Sequence, residues 1–449
     1  MDTKQLRQKI LDLAIRGKLV PQDPNDEPAS VLLERVKAEK ERLIEEGKIK
    51  RSKKSAASSD KPHYPFEIPN NWVWTTLREI SNYGTCINVA VEDIPAESWV
   101  LELEDLEKDT ARLIQRLKKG ERDIKGVRHR FEKGNILYSK LRTYLNKVLV
   151  ADNPGFCTTE IIPFSLFSGI SEFYINLVLR SKYFVDYTIQ CGFGVKMPRL
   201  STSDANSGQI PLPPLNEQKR IVDKVELLLS IADSIEQEKF DLLKSASKLM
   251  NHILELAISG KLVPQDPNDE PAIELLKRVN PNAVVSTDTS HYQHLPQGWC
   301  VCKLEDIVDY EQPQRYIVES TEYSEAYKTP VLTAGKSFVI GHTNETAGVF
   351  DKVPVIIFDD FTTDSKYVDF SFKVKSSAMK ILHVKSGVNI KYVYYFMSIT
   401  RLVGKTHKRY WISEYSKLDI PLPPYNEQCR IVDAIERINN RIDDIAEAL

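Results

Sequence analysis

Gly17-Lys18-Leu19-Val20-Pro21-Gln22-Asp23-Pro24-Asn25-Asp26-Glu27-Pro28-Ala29 returns residue for residue at Gly260 to Ala272, an offset of 243. Extended on both sides, residues 10–36 match 253–279 at 22 of 27 positions. A second repeat runs at a different offset. Ile210-Pro211-Leu212-Pro213-Pro214-Leu215-Asn216-Glu217-Gln218-Lys219-Arg220-Ile221-Val222-Asp223 reappears at 420–433, shifted by 210, with only Leu215/Tyr425 and Lys219/Cys429 differing. Repeats of this kind decide architecture before any local structure does. A fainter echo, Pro69-Asn70-Asn71-Trp72-Val73-Trp74 against Pro296-Gln297-Gly298-Trp299-Cys300-Val301, opens two long segments that otherwise share nothing. The chain thus holds a frame constant while the contents of the frame vary.

The frame reads as helix. From Asn216 to Ser259 the apolar residues Ile221, Val225, Leu228, Ala232, Ile235, Leu242, Ala246, Leu249, Ile253 and Leu256 follow steps of four and three, broken only at Lys239. That is a heptad seam. Pro213-Pro214 before it, and Gly260 with Pro264 after it, are start and stop signals. At 1.5 Å per residue these 44 residues make a helix about 66 Å long. Asn426 to Leu449 repeats 216–239 and Thr3 to Arg16 repeats 246–259, so the chain ends together rebuild the central helix with a gap at 240–245. The expectation is an antiparallel coiled-coil pair of long helices, one continuous and one made from the two terminal helices. The pair is pseudo-twofold symmetric, with a cyclic order of parts.

At 449 residues the chain exceeds a usual single domain. Its 42% hydrophobic and 28% charged residues exclude a fibrous or wholly disordered protein. No stretch approaches the roughly 18 apolar residues that span a bilayer, and Met1 to Gln5 lacks a charged-then-apolar leader pattern. A cytoplasmic protein without a membrane partner is expected. The six cysteines (Cys86, Cys157, Cys191, Cys300, Cys302, Cys429) read as buried free thiols, because Cys300-Val301-Cys302 is too closely spaced for zinc.

The expected parts are an N-terminal helical repeat (1–49), a linker (50–63), a first insert (64–209) and a central long helix with its repeat (210–279). A second linker (280–290), a second insert (291–419) and a C-terminal helix (420–449) complete the chain. The basic, apolar-poor run from Lys50 to Pro62 suits a flexible connection. Both inserts mix strand-like runs (134–138, 354–358) with helical ones (171–186, 390–403), giving an α/β (α+β) class.

A net charge of −2 hides local asymmetry. Residues 91–109 hold eight carboxylates, whereas 110–147 hold twelve Lys or Arg against three carboxylates. Residues 373–410 carry nine Lys or Arg and no carboxylate. One such run is simply a solvated face. Two of them, one per insert on a twofold frame, suit a polyanion contacted twice. Within 140–147 and 405–411, lysines, arginines and aromatics interleave, a composition that holds phosphates and reads base edges.

Enzyme signals are weaker. Leu422-Pro423-Pro424-Tyr425 lacks the polar first residue of an amino-methyltransferase motif, and its repeat partner reads Leu212-Pro213-Pro214-Leu215, so both are helix-start turns. Gly192-Phe193-Gly194 is too short for a dinucleotide loop, and no Gly-x-x-x-x-Gly-Lys-Ser/Thr loop occurs. Asp351 with Asp364-Ser365-Lys366 has the spacing of a metal-dependent nuclease, which keeps a stand-alone site-specific nuclease as the alternative reading. A protein-binding scaffold with incidental basic patches is a third.

Two dissimilar α/β inserts between duplicated helical frames resemble the specificity (S) subunit of type I restriction-modification enzymes, over essentially the whole chain. The Leu-Pro-Pro-x-Asn-Glu-Gln stretches at 212–218 and 422–428, the Gly-Lys-Leu-Val-Pro-Gln stretches at 17–22 and 260–265, and Trp72 and Trp299 carry the likeness. Segments 131–142 and 408–415 also look like parts of target recognition domains. The resemblance implies two target recognition domains, each reading half of a split, asymmetric DNA sequence, with the helices setting the unread spacer. It implies two methyltransferase (M) subunits with S-adenosylmethionine, and restriction (R) subunits with ATP and Mg²⁺. The chain itself would hold no catalytic, cofactor or metal site. Expected DNA contacts are Arg128, Arg130, Lys140, Arg142, Tyr144 and Lys147 in the first insert, and Lys336, Lys366, Lys405, Lys408, Arg409 and Tyr410 in the second. Asn216, Glu217, Gln218, Arg220 and their repeats Asn426, Glu427, Gln428, Arg430 are expected either to face a constant partner subunit or to cap and pack the helix starts.

Overall fold

The computed structural model describes residues 2–47, 49, 65–167, 169–194, 196–286, 292, 295–335, 337–402 and 409–448. The chain forms two compact units, Met1–Glu238 and Lys239–Leu449. Residues 50–63, expected as a linker, lie outside the described residues, as do 287–290 of the second.

In the first unit, helices α1 (Thr3–Ile15) and α2 (Ala29–Glu45) precede strand β1 (Val73–Thr76) and the one-turn α3 (Leu77–Ile80). Strands β2 (Ile87–Val89), β3 (Trp99–Leu101), β4 (Leu117–Lys118), β5 (Arg128–Phe131), β6 (Ile136–Ser139), β7 (Val148–Val150), β8 (Gly155–Thr158) and β9 (Ile161–Phe164) follow. Helices α4 (Glu172–Arg180), α5 (Lys182–Cys191) and α6 (Thr202–Ser207), strand β10 (Gln209–Leu212) and the first half of α7 (Leu215–Ile258) complete the unit. A five-stranded sheet runs in the order β2-β5-β8-β3-β4, and a three-stranded sheet in the order β7-β6-β9. The expected single helix over 171–186 is broken at Ser181, whose extended backbone ends α4 while its hydroxyl caps α5 through the Phe184 amide.

The second unit takes the rest of α7, then α8 (Ala272–Val279), β11 (Cys300–Lys303), α9 (Leu304–Ile307), β12 (Val308–Glu311), β13 (Thr329–Leu332) and β14 (Val339–Thr343). After these come β15 (Val355–Asp359), β16 (Ser365–Val368), β17 (Lys373–Val374), β18 (Met379–Val384), α10 (Ile390–Ile399), β19 (Asp419–Leu422) and α11 (Tyr425–Ala448). Its sheets, β12-β18-β15-β16 and β14-β13-β17, differ from those of the first unit. The content is mixed α and β, as expected, with different sheets inside matching frames.

What matches is the base of each insert. β1 pairs antiparallel with β10, Val73 opposite Leu212, and β11 pairs with β19 in the same way, Cys300 opposite Leu422. Each insert therefore leaves and rejoins the frame side by side, and a change inside it need not disturb the frame.

The frame helices pack within their own units. Ile10, Leu11, Ala14 and Ile15 of α1 share a core with Ile221, Val222 and Val225 of α7. Arg7 pairs with Glu236 at 2.8 Å while Gln22, beyond the other end of α1, meets Glu217, so the two run antiparallel. In the second unit Ile253, Leu254, Ala257 and Ile258 share a core with Ile431, Val432 and Ile435 of α11. The expected seam is interrupted midway: Leu242 and Leu249 are exposed. Leu242 falls in 240–245, which has no counterpart in the terminal helices.

Gly17 and Gly260 end their helices in the left-handed conformation, φ +66° and +68°. Lys18 N donates to Leu13 O and Lys261 N to Leu256 O, closing the same C-terminal cap. A Cβ on either glycine would overlap Pro69 or Pro296, so glycine is required by both backbone and space.

Candidate nucleic-acid interface

Each insert is fastened to its frame by the same buried lock. Glu217, wholly buried at the start of α7, accepts from Trp72 Nε1 at 3.0 Å and from Gln22 Nε2 at 2.6 Å. Glu427 accepts from Trp299 Nε1 at 3.0 Å and from Gln265 Nε2 at 3.0 Å. Gln218 accepts from Ser171 N and donates to Pro213 O, both at 2.9 Å; Gln428 does the same with Asn389 N and Pro423 O. Arg220 and Asn216 hold Asp26, as Arg430 and Asn426 hold Asp269. The side chains of Glu217, Gln218, Glu427 and Gln428 are therefore spent inside the chain, on the helix starts. Two further members escaped the sequence reading: Tyr174 and Tyr392 donate to Pro211 O and Pro421 O at 2.7 and 2.6 Å. Their signal was a tyrosine three residues after the N-caps Ser171 and Asn389.

The lock carries two opposed titrations. Burial pushes the Glu217 and Glu427 carboxyls up, against the bonds from tryptophan and glutamine. The guanidinium bonds of Arg220 and Arg430 hold Asp26 and Asp269 below the usual carboxylate range. A raised folded pKa contributes stability at low pH that is lost as pH rises through it; a lowered one contributes stability at higher pH that is lost as pH falls through it. Glu217→Gln with Glu427→Gln should remove part of the decline in unfolding free energy toward neutral pH. Asp26→Asn with Asp269→Asn should remove part of the acid-side loss. Urea unfolding across pH 3–8 checks both, and identical pH profiles for all three proteins would contradict the assignment.

The charge runs turn out to be largely self-neutralised. In the first unit the acidic run meets the basic one: Glu97 with Lys118 at 2.6 Å, Glu102 with Arg128 at 2.8 Å, Asp105 with Arg122 at 2.6 Å. Lys147 Nζ donates to Leu103 O at 2.7 Å, and burial lowers its pKa. In the second unit Lys373 pairs with Glu345, and Lys380, buried, with Asp360. Two expected DNA contacts need correction. Arg128 is buried on β5, its guanidinium spent on Glu102 and two carbonyls. Tyr410 is buried in the core around Phe358 and Trp411, its backbone N–H on Asp360 O.

The other expected residues divide by place. Arg130 is exposed beside Glu132. Lys140 and Arg142 are half-buried after β6, where Leu200 N donates to Lys140 O and Arg142 N to Pro198 O, joining two loops. Tyr144 is 44% exposed on the turn that follows, and Phe193, on the facing loop, 59%. In the second unit Lys366 sits half-exposed on β16 and Arg409 is exposed. Lys336, Lys405 and Lys408 lie outside the described residues. The ends of the stretch containing the last two are held by one turn: Leu402 N donates to Thr363 Oγ1, and Tyr410 N and Trp411 N donate to Asp360.

The alternative acid set fares less well. Asp364 is ion-paired to Arg401 at 3.0 Å. Among the described residues no group of three or more His, Cys, Asp or Glu could hold a metal ion. All six cysteines are free; Cys157, Cys300 and Cys302 are buried and the rest half-buried, a correction to the expectation that all would be buried. Among the described residues, no helix is long and apolar enough to cross a membrane.

Comparison with known proteins places these features in context. Residues 69–245 and 296–449 match the family described as type I restriction modification DNA specificity domain. The Escherichia coli type I restriction enzyme EcoAI specificity subunit is 33% identical over 372 residues, 68% of this chain and 62% of that protein, so the match spans less than two thirds of the relative's length. The Escherichia coli EcoR124I/EcoR124II specificity subunit is 50% identical over 126 residues, 27% of this chain and 31% of that protein. A solved chain from work on complex assembly and conformational transition of the type I R-M system is 16% identical, with a TM-score of 0.63 over 86% of this chain and 94% of the other, a likeness of fold.

Proposed function

The chain belongs to the family of type I restriction-modification specificity subunits, and from that premise we propose that it reads a split, asymmetric DNA sequence, one insert to each half-site, for methyltransferase subunits that methylate adenine. The observation that carries the reading is the duplicated lock. Identical hydrogen bonds at Glu217 and Glu427 hold two inserts of different sheet order on equivalent frames. Two equivalent frames with different readers suit two half-sites of different sequence.

The helices act as the ruler between half-sites, as an antiparallel coiled coil with pseudo-twofold symmetry and adjacent termini. Arg130, Lys140, Arg142, Tyr144 and Lys147, with Lys366 and Arg409, contact duplex DNA; Lys336, Lys405 and Lys408 join them. Two M subunits dock on the constant frame, where Leu227, Ile231, Leu242 and Leu249 of α7 are exposed. R subunits join the assembly through them. The chain supplies specificity and no chemistry; S-adenosylmethionine, ATP and Mg²⁺ act in the partner subunits, in the cytoplasm.

Arg142→Ala in the intact system should lower discrimination on the order of tenfold in one half of the methylated motif and leave the other half unchanged, the scale of one lost base contact. Genome-wide mapping of N6-methyladenine reads this directly. An unaltered motif removes Arg142 from the interface.

A further inference from the structure

Left-handed backbone at non-glycine residues is concentrated in the first unit at one place. Among the described residues of that unit the non-glycine residues with positive φ are Asp109 (66°), Ala111 (56°), Arg142 (50°) and Asn146 (53°), on two segments of which Asp109 accepts from the Arg180 side chain and Asn146 donates to the Arg180 carbonyl. Such residues persist only where their surroundings over-determine them, and they gather at working sites. Arg142 and Asn146 bracket the single turn Thr143–Leu145: Leu145 N donates to Arg142 O, and Asn146 N to Thr143 O. Asn146 Nδ2 donates to Arg180 O at 2.8 Å, and Asp109 N to Leu145 O at 3.0 Å.

Arg180 is the hub. Its guanidinium donates to Thr110 O at 2.7 Å and to Asp109 O at 3.4 Å, carbonyls rather than carboxylates, and burial pushes its pKa down. From that loop the contacts reach the frame: Asp109 pairs with Lys4 of α1 at 3.0 Å, and Arg112 and Arg7 both pair with Asp233 of α7. At the other end, Arg142 Nε and Asn146 Oδ1 are buried without an intramolecular hydrogen-bond partner. An unpaired buried polar atom is costly, and the turn is held in this shape against that cost by its contacts to Arg180 and to the 109–112 loop.

We infer that Asn146 and Arg180 are positioning residues for reading one DNA half-site: they fix the 142–146 turn that presents Arg142 and Tyr144, and tie it to the helical frame. This rests on the reading that the chain directs site-specific methylation. The frame thereby sets the attitude of the reading turn as well as the distance between readers.

The test uses the full chain in its native complex, with genomic DNA as the probe and N6-methyladenine mapped at every site. Asn146→Asp keeps shape and tolerates the left-handed backbone but removes the donor to Arg180. It should cost about tenfold in base discrimination, the scale of one base contact, within the half of the motif that Arg142→Ala also affects, with the other half as sharp as before. Arg180→Met should act in the same half, and Arg180→Lys, which keeps a donor for Thr110 O, should act less. A purely structural role would lower methylation at all sites without changing either half of the motif; that result, equal broadening of both halves, or an unchanged motif overturns the inference. If the unmodified system yields no split motif, the functional reading itself fails and the inference with it.

Discussion

Trp72→Ala is expected to destabilise the chain by about 3–5 kcal/mol, the range for removing a large buried aromatic. Trp72 is 4% exposed, packs edge to face on Tyr174 and covers Gly17. It also supplies one of two N–H bonds to a carboxylate with no solvent access. Its loss therefore opens a cavity and strips a partner from Glu217, and the two costs act together. Trp72→Phe keeps most of the packing and should cost less, about 1–3 kcal/mol for the missing donor. Trp299→Ala should cost less than Trp72→Ala, because Trp299 makes the same bond while partly exposed. Urea unfolding of the intact protein orders the three variants, and a loss under about 1 kcal/mol for Trp72→Ala, well below the cavity range, would contradict the lock.

Lys380→Met should be comparably severe, about 3–5 kcal/mol, because it leaves a buried carboxylate unpaired. Lys380 Nζ lies 3.2 Å from Asp360 and 3.0 Å from Gln312 Oε1, with both ionic side chains nearly inaccessible. Asp360 also receives Trp411 N on its carboxylate and Tyr410 N on its carbonyl. Lys380→Met combined with Asp360→Asn removes both charges and should recover most of the loss, since an ion pair in the interior is weakly stabilising while half of one is destabilising. Equal unfolding midpoints for the single and double variants would show that the charge pair is not what holds this turn.

The frame was legible because it is written twice. The repeated Pro-Pro and glycine signals placed a long helix over 216–259, and the structure has it at Leu215–Ile258; the strand pairs that close the base of each insert were found only in the structure. What the sequence hid were non-local pairings. Arg128 reads as one more cation in a basic run, and only the parallel approach of β3 to β8, with β5 alongside, brings Glu102 within reach of it. Tyr410 follows a cationic run, yet Asp360, fifty residues earlier, draws its backbone inward. Asn146 passed as an ordinary polar residue because its left-handed backbone has no linear signature beyond the residue type. The middle of the α7 seam looked continuous by period alone, although Leu242 and Leu249 are exposed, Leu242 within the stretch 240–245 that the terminal helices do not repeat.

One arrangement follows for the two units. A buried hydrogen-bond lock makes the base of each insert constant, while strained and ion-paired turns inside each insert carry what differs. Adenine methylation compared across the genome of cells with and without this gene tests the claim most directly. The account predicts that N6-methyladenine disappears from one split motif on both strands when the gene is removed, and returns with it. A methylation pattern indifferent to the gene would contradict it.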